Sequence, residues 1–274
     1  ATQADVTPAR NATNHGAPRA RNQGIARARG AWIAFFDNDV VVPRAWIPRA
    51  LEHARDADDV GAIPLCANRA SKHQVVAYDG TDDIASIERF ANTHYGQHAG
   101  EGVDATLFTS LAVVVRREVV ERIGGFDETF SPWGFEDDDY ALRVRLAGWR
   151  NRVARDSFVY HAHYATQEKH ERHAGWLQAN WDAFLAKWSP GRAGARLFDY
   201  EGVTVPSVET VTDAQLVFSL PADGAEPPHW DGAEHGAAGT VEAENEPGES
   251  TSHAATDAFR AITDEIRSVA DANA

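Results

Sequence analysis

The stretch that decides the fold is AWIAFFDNDVVV, residues 31–42. Its first half is a short apolar run, and the polar triplet Asp37-Asn38-Asp39 follows directly. A run of this length that ends at polar residues is typical of a buried β-strand with acidic groups at its carboxyl end. Ligands of open α/β sheets bind at that edge of the sheet. The stretch therefore predicts an α/β protein with a site beside Asp37 and Asp39.

Helix and strand patterns alternate on both sides of this stretch. Glycines end several of the apolar or helix-forming runs, as expected at helix carboxyl ends. The patterns predict helices at 18–29, 44–57, 84–95, 118–123, 136–147 and 171–188, and strands at 60–65, 106–115 and 152–160. This order predicts one α/β domain over residues 1–190.

The composition changes after Pro190-Gly191. Residues 191–220 retain apolar side chains and are predicted to be an extension packed on the domain. Residues 221–254 are rich in Gly, Ala, Glu, Pro and Ser, which is typical of a disordered linker. Residues 255–274 are predicted to form an amphipathic helix, because apolar residues recur there at helical spacing.

The charge balance excludes some partners. The 41 acidic and 26 basic residues give a net charge of -15, which argues against a nucleic-acid partner. No apolar run reaches the roughly 20 residues that a transmembrane helix needs, so no transmembrane segment is expected. Acidic residues with few lysines are halophile-like, and ordinary drift in composition explains them equally well. Since the chain contains no methionine, we interpret it as part of a longer protein.

The first group with chemical potential is Asp37 and Asp39. Two carboxylates one residue apart can jointly hold a hard divalent cation such as Mg²⁺ or Mn²⁺. Such a cation stabilises the charge that develops on a departing diphosphate. The pair alone is a weak signal, because Asp-x-Asp is also common in ordinary turns.

The second group is WGFEDDD, residues 133–139, at the start of a predicted helix. The helix dipole and the free N–H groups of the first turn account for one or two of its four acids. Neighbouring carboxylates at a helix start point to different sides. One of them can act as a general base while another binds a hydroxyl group.

The third group is His161, which follows a predicted strand that ends at Tyr160. This position can direct the imidazole to the same cleft as Asp39. A zinc site built from His161, His163, His170 and His173 is an alternative, although no cysteine lies close by. A solvated histidine-rich loop is the more ordinary interpretation of the other three histidines.

These motifs occur in the order ARNQG (20–24), AWIAFFDNDV (31–40), GGFDE (124–128), WGFEDDDYALRVRLAG (133–148) and VYH (159–161). The ordered set resembles the family-2 glycosyltransferases of GT-A fold, and WGFEDDD is also similar to the acidic motif of β-1,4-galactosyltransferases. The resemblance covers about residues 12–188. It implies a GT-A-like, Rossmann-like, mostly parallel mixed sheet flanked by helices. The family's opening strand–helix–strand segment, which contacts the nucleobase, has no counterpart in residues 1–10, so the domain is expected to be N-terminally truncated.

The resemblance also implies roles on the donor side of the site. Asp37 and Asn38 would contact the nucleotide sugar. Asp37, Asp39 and His161 would hold the metal. Arg21 and Asn22 would lie near the donor pocket.

On the acceptor side, Asp137 would be the base that deprotonates the acceptor hydroxyl. Glu136 would hydrogen-bond acceptor or donor hydroxyls as the second catalytic residue. Trp133 is expected to pack against an acceptor sugar ring, and a role in the core is equally compatible with its position.

The resemblance implies an inverting hexosyltransferase that uses Mn²⁺ or Mg²⁺ and a UDP- or GDP-sugar. The acceptor would be a glycan, a lipid-linked molecule or a small molecule, and the location the cytoplasm or the inner face of the membrane. One alternative is a catalytically silent fragment that serves as a binding or assembly module. A metal-dependent phosphoester hydrolase is another, but it requires ligands for a second metal or a phosphate-binding loop.

Overall fold

A computed structural model describes residues 8–70, 72–162, 170–201, 203 and 206–220. The expected linker at 221–254 and the expected amphipathic helix at 255–274 lie outside the described residues. His163 also lies outside them.

Helices and strands alternate along the chain as the sequence predicted. The helices are α1 (Gly16–Arg27), α2 (Trp46–Glu52), α3 (Ile84–His98), α4 (Arg117–Ile123), α5 (Glu136–Leu146), α6 (His170–Trp188) and α7 (Asp213–Leu216). The strands are β1 (Trp32–Phe36), β2 (Val40–Val41), β3 (Val60–Ala67), β4 (Gly102–Ala105), β5 (Ala112–Arg116) and β6 (Arg150–His161). The short strands β2 and β4 were not predicted.

The strands form a mixed sheet in the order β1-β5-β3-β6-β2, with β4 also paired to β6. The mixed sheet with flanking helices confirms the expected α/β class. The expectation of a mostly parallel sheet is wrong for the described residues, where only β3 and β6 pair in parallel. The reason is the direction of β5, which begins beside the end of β1, where Ala112 pairs with Phe36. Strand β5 is therefore antiparallel to β1, and it is also antiparallel to β3.

Strand β5 shows why the sheet is buried on both faces. Val113 and Val115 belong to a cluster with α4, α5 and α6, whereas Ala112 and Val114 belong to a second cluster with α2. Because successive side chains of a strand point to opposite faces, an all-apolar strand needs helices on both sides. The helices on the two faces supply this cover. The ends of the strands stay available for the candidate site.

The apolar run at 106–115 is only partly a strand. Strand β5 begins at Ala112, and the residues before it form a loop that buries Phe108 and Leu111. An apolar composition indicates that a segment is buried, but a buried loop has the same composition as a buried strand. This loop reaches the edge of the sheet where Asp37 lies, since the N–H of Asp37 donates to the carbonyl of Leu111 at 2.9 Å.

The extension at 191–220 returns to the domain. Leu216 of α7 is buried in the cluster that contains α5 and α6, and the backbone N–H of Phe218 donates to the carbonyl of Ile123 at 2.9 Å. The domain limits at residues 190 and 220 stay predictions. Among the described helices, none is both long enough and apolar enough to cross a bilayer.

Candidate metal and catalytic site

Asp37, Asp39 and His161 meet at one edge of the sheet. The two aspartates lie in the turn between β1 and β2, and His161 is the last residue of β6. Strand β2 pairs with the end of β6, so that Val40 lies opposite His161. One ligand atom from each of the three side chains lies within 4.8 Å of the others. The structure therefore brings together the three residues expected to hold the metal.

Asn68 positions His161 from the end of β3. Its amide oxygen accepts from the backbone N–H of His161 at 2.7 Å, and its amide nitrogen donates to the His161 carbonyl at 3.2 Å. The Nδ1 atom of His161 lies 2.9 Å from the carbonyl oxygen of Arg69, which can only accept a hydrogen bond. Nδ1 therefore carries the proton in a neutral imidazole, and Nε2 faces Asp39 Oδ1 at 3.3 Å.

This set of donors fits a hard divalent cation. Two carboxylates and one neutral imidazole match the preferences of Mn²⁺, and Mg²⁺ also accepts the carboxylates. The side chains of Asp39 and His161 are mostly buried, at 18% and 15% exposure, whereas Asp37 is 37% exposed. Burial raises the pKa of Asp37, although its ion pair with Arg21 acts in the opposite direction. Asn38 lies exposed in the same turn.

Arg21 links the expected metal ligands to the acidic motif. Its Nη2 lies 2.9 Å from Asp37 Oδ1, and its Nη1 lies 2.8 Å from Glu136 Oε1. The guanidinium also lies over the ring of Phe126, 5.2 Å from the centroid. A planar guanidinium donates in two directions at once, so one side chain of α1 can join both carboxylates.

Glu136 is a buried, fully engaged carboxylate. One oxygen accepts from Arg21, and the other accepts from the backbone N–H of Gly134 at 2.5 Å. Burial, together with the charge of Asp137, raises the pKa of Glu136 to about 7 and outweighs the ion pair with Arg21. Gly134 has φ of 99°, a conformation that favours glycine, and this turn brings its N–H back to Glu136.

Asp137 is half-buried beside the loop that precedes β5. Its Oδ2 accepts from the backbone N–H of Ser110 at 3.3 Å, and its Oδ1 accepts from the N–H of Asp138 at 2.9 Å. The next loop residue, Leu111, accepts from the N–H of Asp37. Consecutive backbone residues therefore contact Asp137 and Asp37.

The other two acids of the motif stabilise the fold. Asp139 is fully buried and contacts Arg143 at 2.7 Å, Lys187 at 2.7 Å and the indole of Trp188 at 3.0 Å. Asp138 accepts from the hydroxyl of Tyr200 at 2.5 Å. The motif thus divides between two carboxylates that join the site network and two that tie α5 to α6 and to the extension.

Two other predicted site residues have hydrogen bonds to parts of the fold next to the metal group, and their expected roles stay predictions. The side chain of Asn22 is buried and bonds the GGFDE turn: it donates to the Phe126 carbonyl at 2.8 Å and to Glu128 at 2.9 Å, and accepts from the Phe126 N–H at 2.7 Å. Trp133 is half-buried, and its carbonyl accepts from Asn180 on α6. Among the described residues, Asp37, Asp39 and His161 form the only group suited to a metal ion.

The sequence interpretation missed several residues that support the site or tie the acidic motif to the fold, namely Asn68, Gln74, Ser110 and Lys187. Asn68 was detectable in part, because it is the first polar residue after the predicted strand at 60–65, and the end of that strand lies at the same edge as Asp37. The partners of the other three are far away in the chain, and no local pattern indicates them.

Two family models match the chain. The model described as glycosyl transferase family 2 matches residues 2–124, and the model described as the N-terminal domain of galactosyltransferase matches residues 97–171. Together they cover the two aspartates of the turn, the acidic motif and His161.

Of three similar proteins, two are named as glycosyltransferases and one as an O-antigen biosynthesis protein. The pre-mycofactocin glycosyltransferase of Mycobacterium tuberculosis is 29% identical over 163 residues, which are 58% of this chain and 33% of the relative. An O-antigen biosynthesis protein of Myxococcus xanthus is 29% identical over 148 residues, 48% of this chain and 11% of the relative. Validoxylamine A glucosyltransferase of Streptomyces hygroscopicus is 36% identical over 66 residues, 24% of this chain and 15% of the relative. The chain spans a third or less of the length of these relatives.

Two solved structures are similar at low identity. A mannosyltransferase from Pyrobaculum calidifontis in complex with GDP-Man and Mn²⁺ aligns with a TM-score of 0.41 and 21% identity, over 62% of this chain and 44% of that one. GalNAc-T7 with UDP, GalNAc and Mn²⁺ aligns with a TM-score of 0.41 and 13% identity, over 70% of this chain and 41% of that one.

Proposed function

We propose that this chain, which belongs to glycosyl transferase family 2, transfers a sugar from a UDP- or GDP-sugar to an acceptor hydroxyl with inversion. One observation carries the proposal: Asp37, Asp39 and His161 lie within ligand distance of one another, and Arg21 joins Asp37 to the Glu136-Asp137 pair. A metal-binding group and a candidate base thus belong to one network.

Asp37, Asp39 and His161 would hold Mn²⁺ or Mg²⁺. When bound, such an ion supplies positive charge that stabilises a nucleotide diphosphate as leaving group. Asn68 keeps His161 in place, and the Arg69 carbonyl selects the tautomer whose Nε2 carries the lone pair that would bind the metal. Arg21 keeps Asp37 oriented from the side of α1.

Asp137 is the carboxylate best suited to act as the base. Both oxygens of Glu136 have close partners, and Asp138 and Asp139 are engaged by Tyr200, Arg143 and Lys187. Asp137 is half-buried, and its contacts are backbone N–H groups, one of them as long as 3.3 Å. It would accept the proton of the acceptor hydroxyl as that oxygen attacks the anomeric carbon opposite the leaving diphosphate, which gives inversion in a single displacement.

Glu136 would orient hydroxyl groups. Its place between Arg21 and the Gly134 N–H holds the carboxylate rigidly, and a rigid group preserves the geometry that a displacement needs. The acceptor would be a glycan, a lipid-linked molecule or a small molecule that presents a hydroxyl to Asp137.

Calorimetry of UDP and GDP binding with Mn²⁺, in high salt, tests the donor site. The wild-type chain is expected to bind one of the nucleotides only when Mn²⁺ is present, and Asp39→Ala is expected to abolish binding. Asp59→Ala is the matched control, because Asp59 is an exposed ion-pair residue that precedes β3 at the opposite edge of the sheet. Nucleotide binding that is independent of the metal and of Asp39 would contradict the proposal. A failure of the wild-type chain to bind either nucleotide would instead favour a catalytically silent binding module.

A further inference from the structure

The side-chain amide of Gln74 is buried and binds the backbone of a loop of the site. The side chain is fully buried after β3. Its Nε2 donates to the carbonyl of Thr109 at 2.9 Å, and its Oε1 accepts from the N–H of Thr109 at 2.6 Å. The same Nε2 donates to the carbonyl of Leu65 in β3 at 3.0 Å. The amide thus pairs with Thr109 as a neighbouring strand would, and ties the loop to the sheet.

The residues that follow Thr109 contact both halves of the proposed site. The N–H of Ser110 donates to Asp137 Oδ2 at 3.3 Å. The carbonyl of Leu111 accepts from the N–H of Asp37 at 2.9 Å. We call residues 109–111 the strap, because these three residues connect the candidate base to the turn that carries the metal ligands.

The two ends of the strap are anchored differently. Leu111 adjoins β5, whose first residue, Ala112, pairs with Phe36 of β1, so the sheet fixes this end. At the other end, Gln74 binds both backbone polar groups of Thr109. Because a hydrogen bond is directional, the orientation of the Ser110 N–H towards Asp137 depends on how Thr109 is held.

We propose that Gln74 is a positioning residue that fixes Asp137 relative to the metal ligands through the strap. The inference rests on the proposed function, because it takes Asp137 as the base. Gln74 hydrogen-bonds neither Asp137 nor the metal ligands directly. Its loss shifts the Asp137 end of the strap and leaves the Asp37 end in place, since the sheet holds the latter.

The test separates binding from turnover in Gln74→Met and Gln74→Glu. Gln74→Met has a similar length and removes all three hydrogen bonds, whereas Gln74→Glu keeps the acceptor for the Thr109 N–H. Release of nucleotide from UDP-glucose, UDP-galactose, UDP-N-acetylglucosamine and GDP-mannose is followed with Mn²⁺. Each kcat is expressed per nucleotide-binding site counted by calorimetry, so a partly unfolded preparation does not distort it.

Both variants are expected to lower kcat by about tenfold or more, because small displacements of a reacting group reduce rates by that order. The KM for the donor and the Kd of the Mn²⁺–nucleotide complex stay within about twofold of the wild type, since the metal side is held by the sheet. Asn151→Leu is the matched control. Asn151 is also a fully buried amide that donates to backbone carbonyls, among them that of Ala141 at 3.0 Å. This control should lower the melting temperature and leave kcat per site unchanged.

A double variant tests whether Gln74 acts through Asp137. Gln74→Met is expected to cause no further loss of kcat in an Asp137→Asn background, because the positioned group is already gone. Wild-type kcat in both Gln74 variants, a parallel loss of nucleotide affinity, or full additivity with Asp137→Asn would each overturn the inference. A wild-type chain that binds no Mn²⁺–nucleotide complex, or releases nucleotide from none of the four donors, overturns the proposed function and this inference together.

Discussion

The carboxylates of Asp37 and Glu136 bind the same guanidinium group, that of Arg21, at 2.9 and 2.8 Å. Asp37 belongs to the turn after β1, and Glu136 begins α5. The shared contact makes the two acidic motifs parts of one site. It also places one positive charge between the two carboxylates, which reduces their mutual repulsion.

Replacement of Arg21 should destabilise the fold. Arg21→Lys keeps the charge, but an ammonium group cannot donate to both carboxylates in the forked geometry of arginine. Since Glu136 is buried, we expect a loss of about 3 kcal/mol in the free energy of unfolding, measured by urea denaturation.

Arg150→Lys is the matched control, because Arg150 also joins two carboxylates, those of Asp59 and Asp104, but is 37% exposed. Exposed ion pairs contribute little, so its loss should stay below about 1 kcal/mol. Equal losses in the two variants would show that the Arg21 bridge is not a buried interaction.

The raised pKa of Glu136 predicts a dependence of stability on pH. The folded state binds the Glu136 proton more tightly than the unfolded chain does, because the pKa rises from 4.5 to about 7. The stabilisation from this group is therefore fully present below about pH 4.5 and is lost as the pH rises towards about 7.

Glu136→Gln removes this titration. Urea denaturation from pH 4.5 to 7.5 measures the unfolding free energy of the wild type and of Glu136→Gln. As the pH rises, the wild type should lose stability relative to Glu136→Gln, by about 1.4 kcal/mol for each unit of pKa elevation. A difference that stays constant across this range would contradict the raised pKa.

The different contacts of the acids in WGFEDDD predict different effects for Asp139 and Asp137. Asp139→Asn leaves Lys187 and Arg143 without their shared carboxylate in the core, which should lower the free energy of unfolding by about 3–5 kcal/mol. Asp137→Asn should change stability by less than about 1 kcal/mol, because Asp137 is half-buried and its partners among the described residues are backbone N–H groups. Nucleotide release should nevertheless fall in Asp137→Asn. The prediction fails if Asp137→Asn is the less stable variant.

Local patterns were sufficient for the α/β class and for the expectation that Asp37, Asp39 and His161 lie at one edge of the sheet. An apolar run that ends in Asp37-Asn38-Asp39 predicts a strand end, and His161 follows a second one. Strands aligned in one sheet then bring such ends together. The unpredicted strand β2 completes the placement, because its pairing with β6 sets Val40 opposite His161.

The support of the site was not predictable from local patterns. The role of Gln74 depends on a loop at Thr109, and that of Lys187 depends on Asp127 and Asp139. Neither contact has a periodic or compositional signal. The same limit holds for Asn22: no local pattern indicates its hydrogen bonds to the GGFDE turn, and its expected place near the donor pocket stays a prediction.

The most direct test of sugar transfer with inversion is the stereochemistry of the first product. The chain is supplied with Mn²⁺ and with whichever of the four nucleotide sugars it uses, and proton NMR follows the anomeric signal of the product. The signal is recorded before mutarotation equilibrates a free sugar. We predict a product of inverted anomeric configuration, whose formation stops with EDTA and in Asp137→Asn. A first product with retained configuration, or undiminished turnover in EDTA, would contradict the assignment of Asp137 as base and of Asp37, Asp39 and His161 as metal ligands.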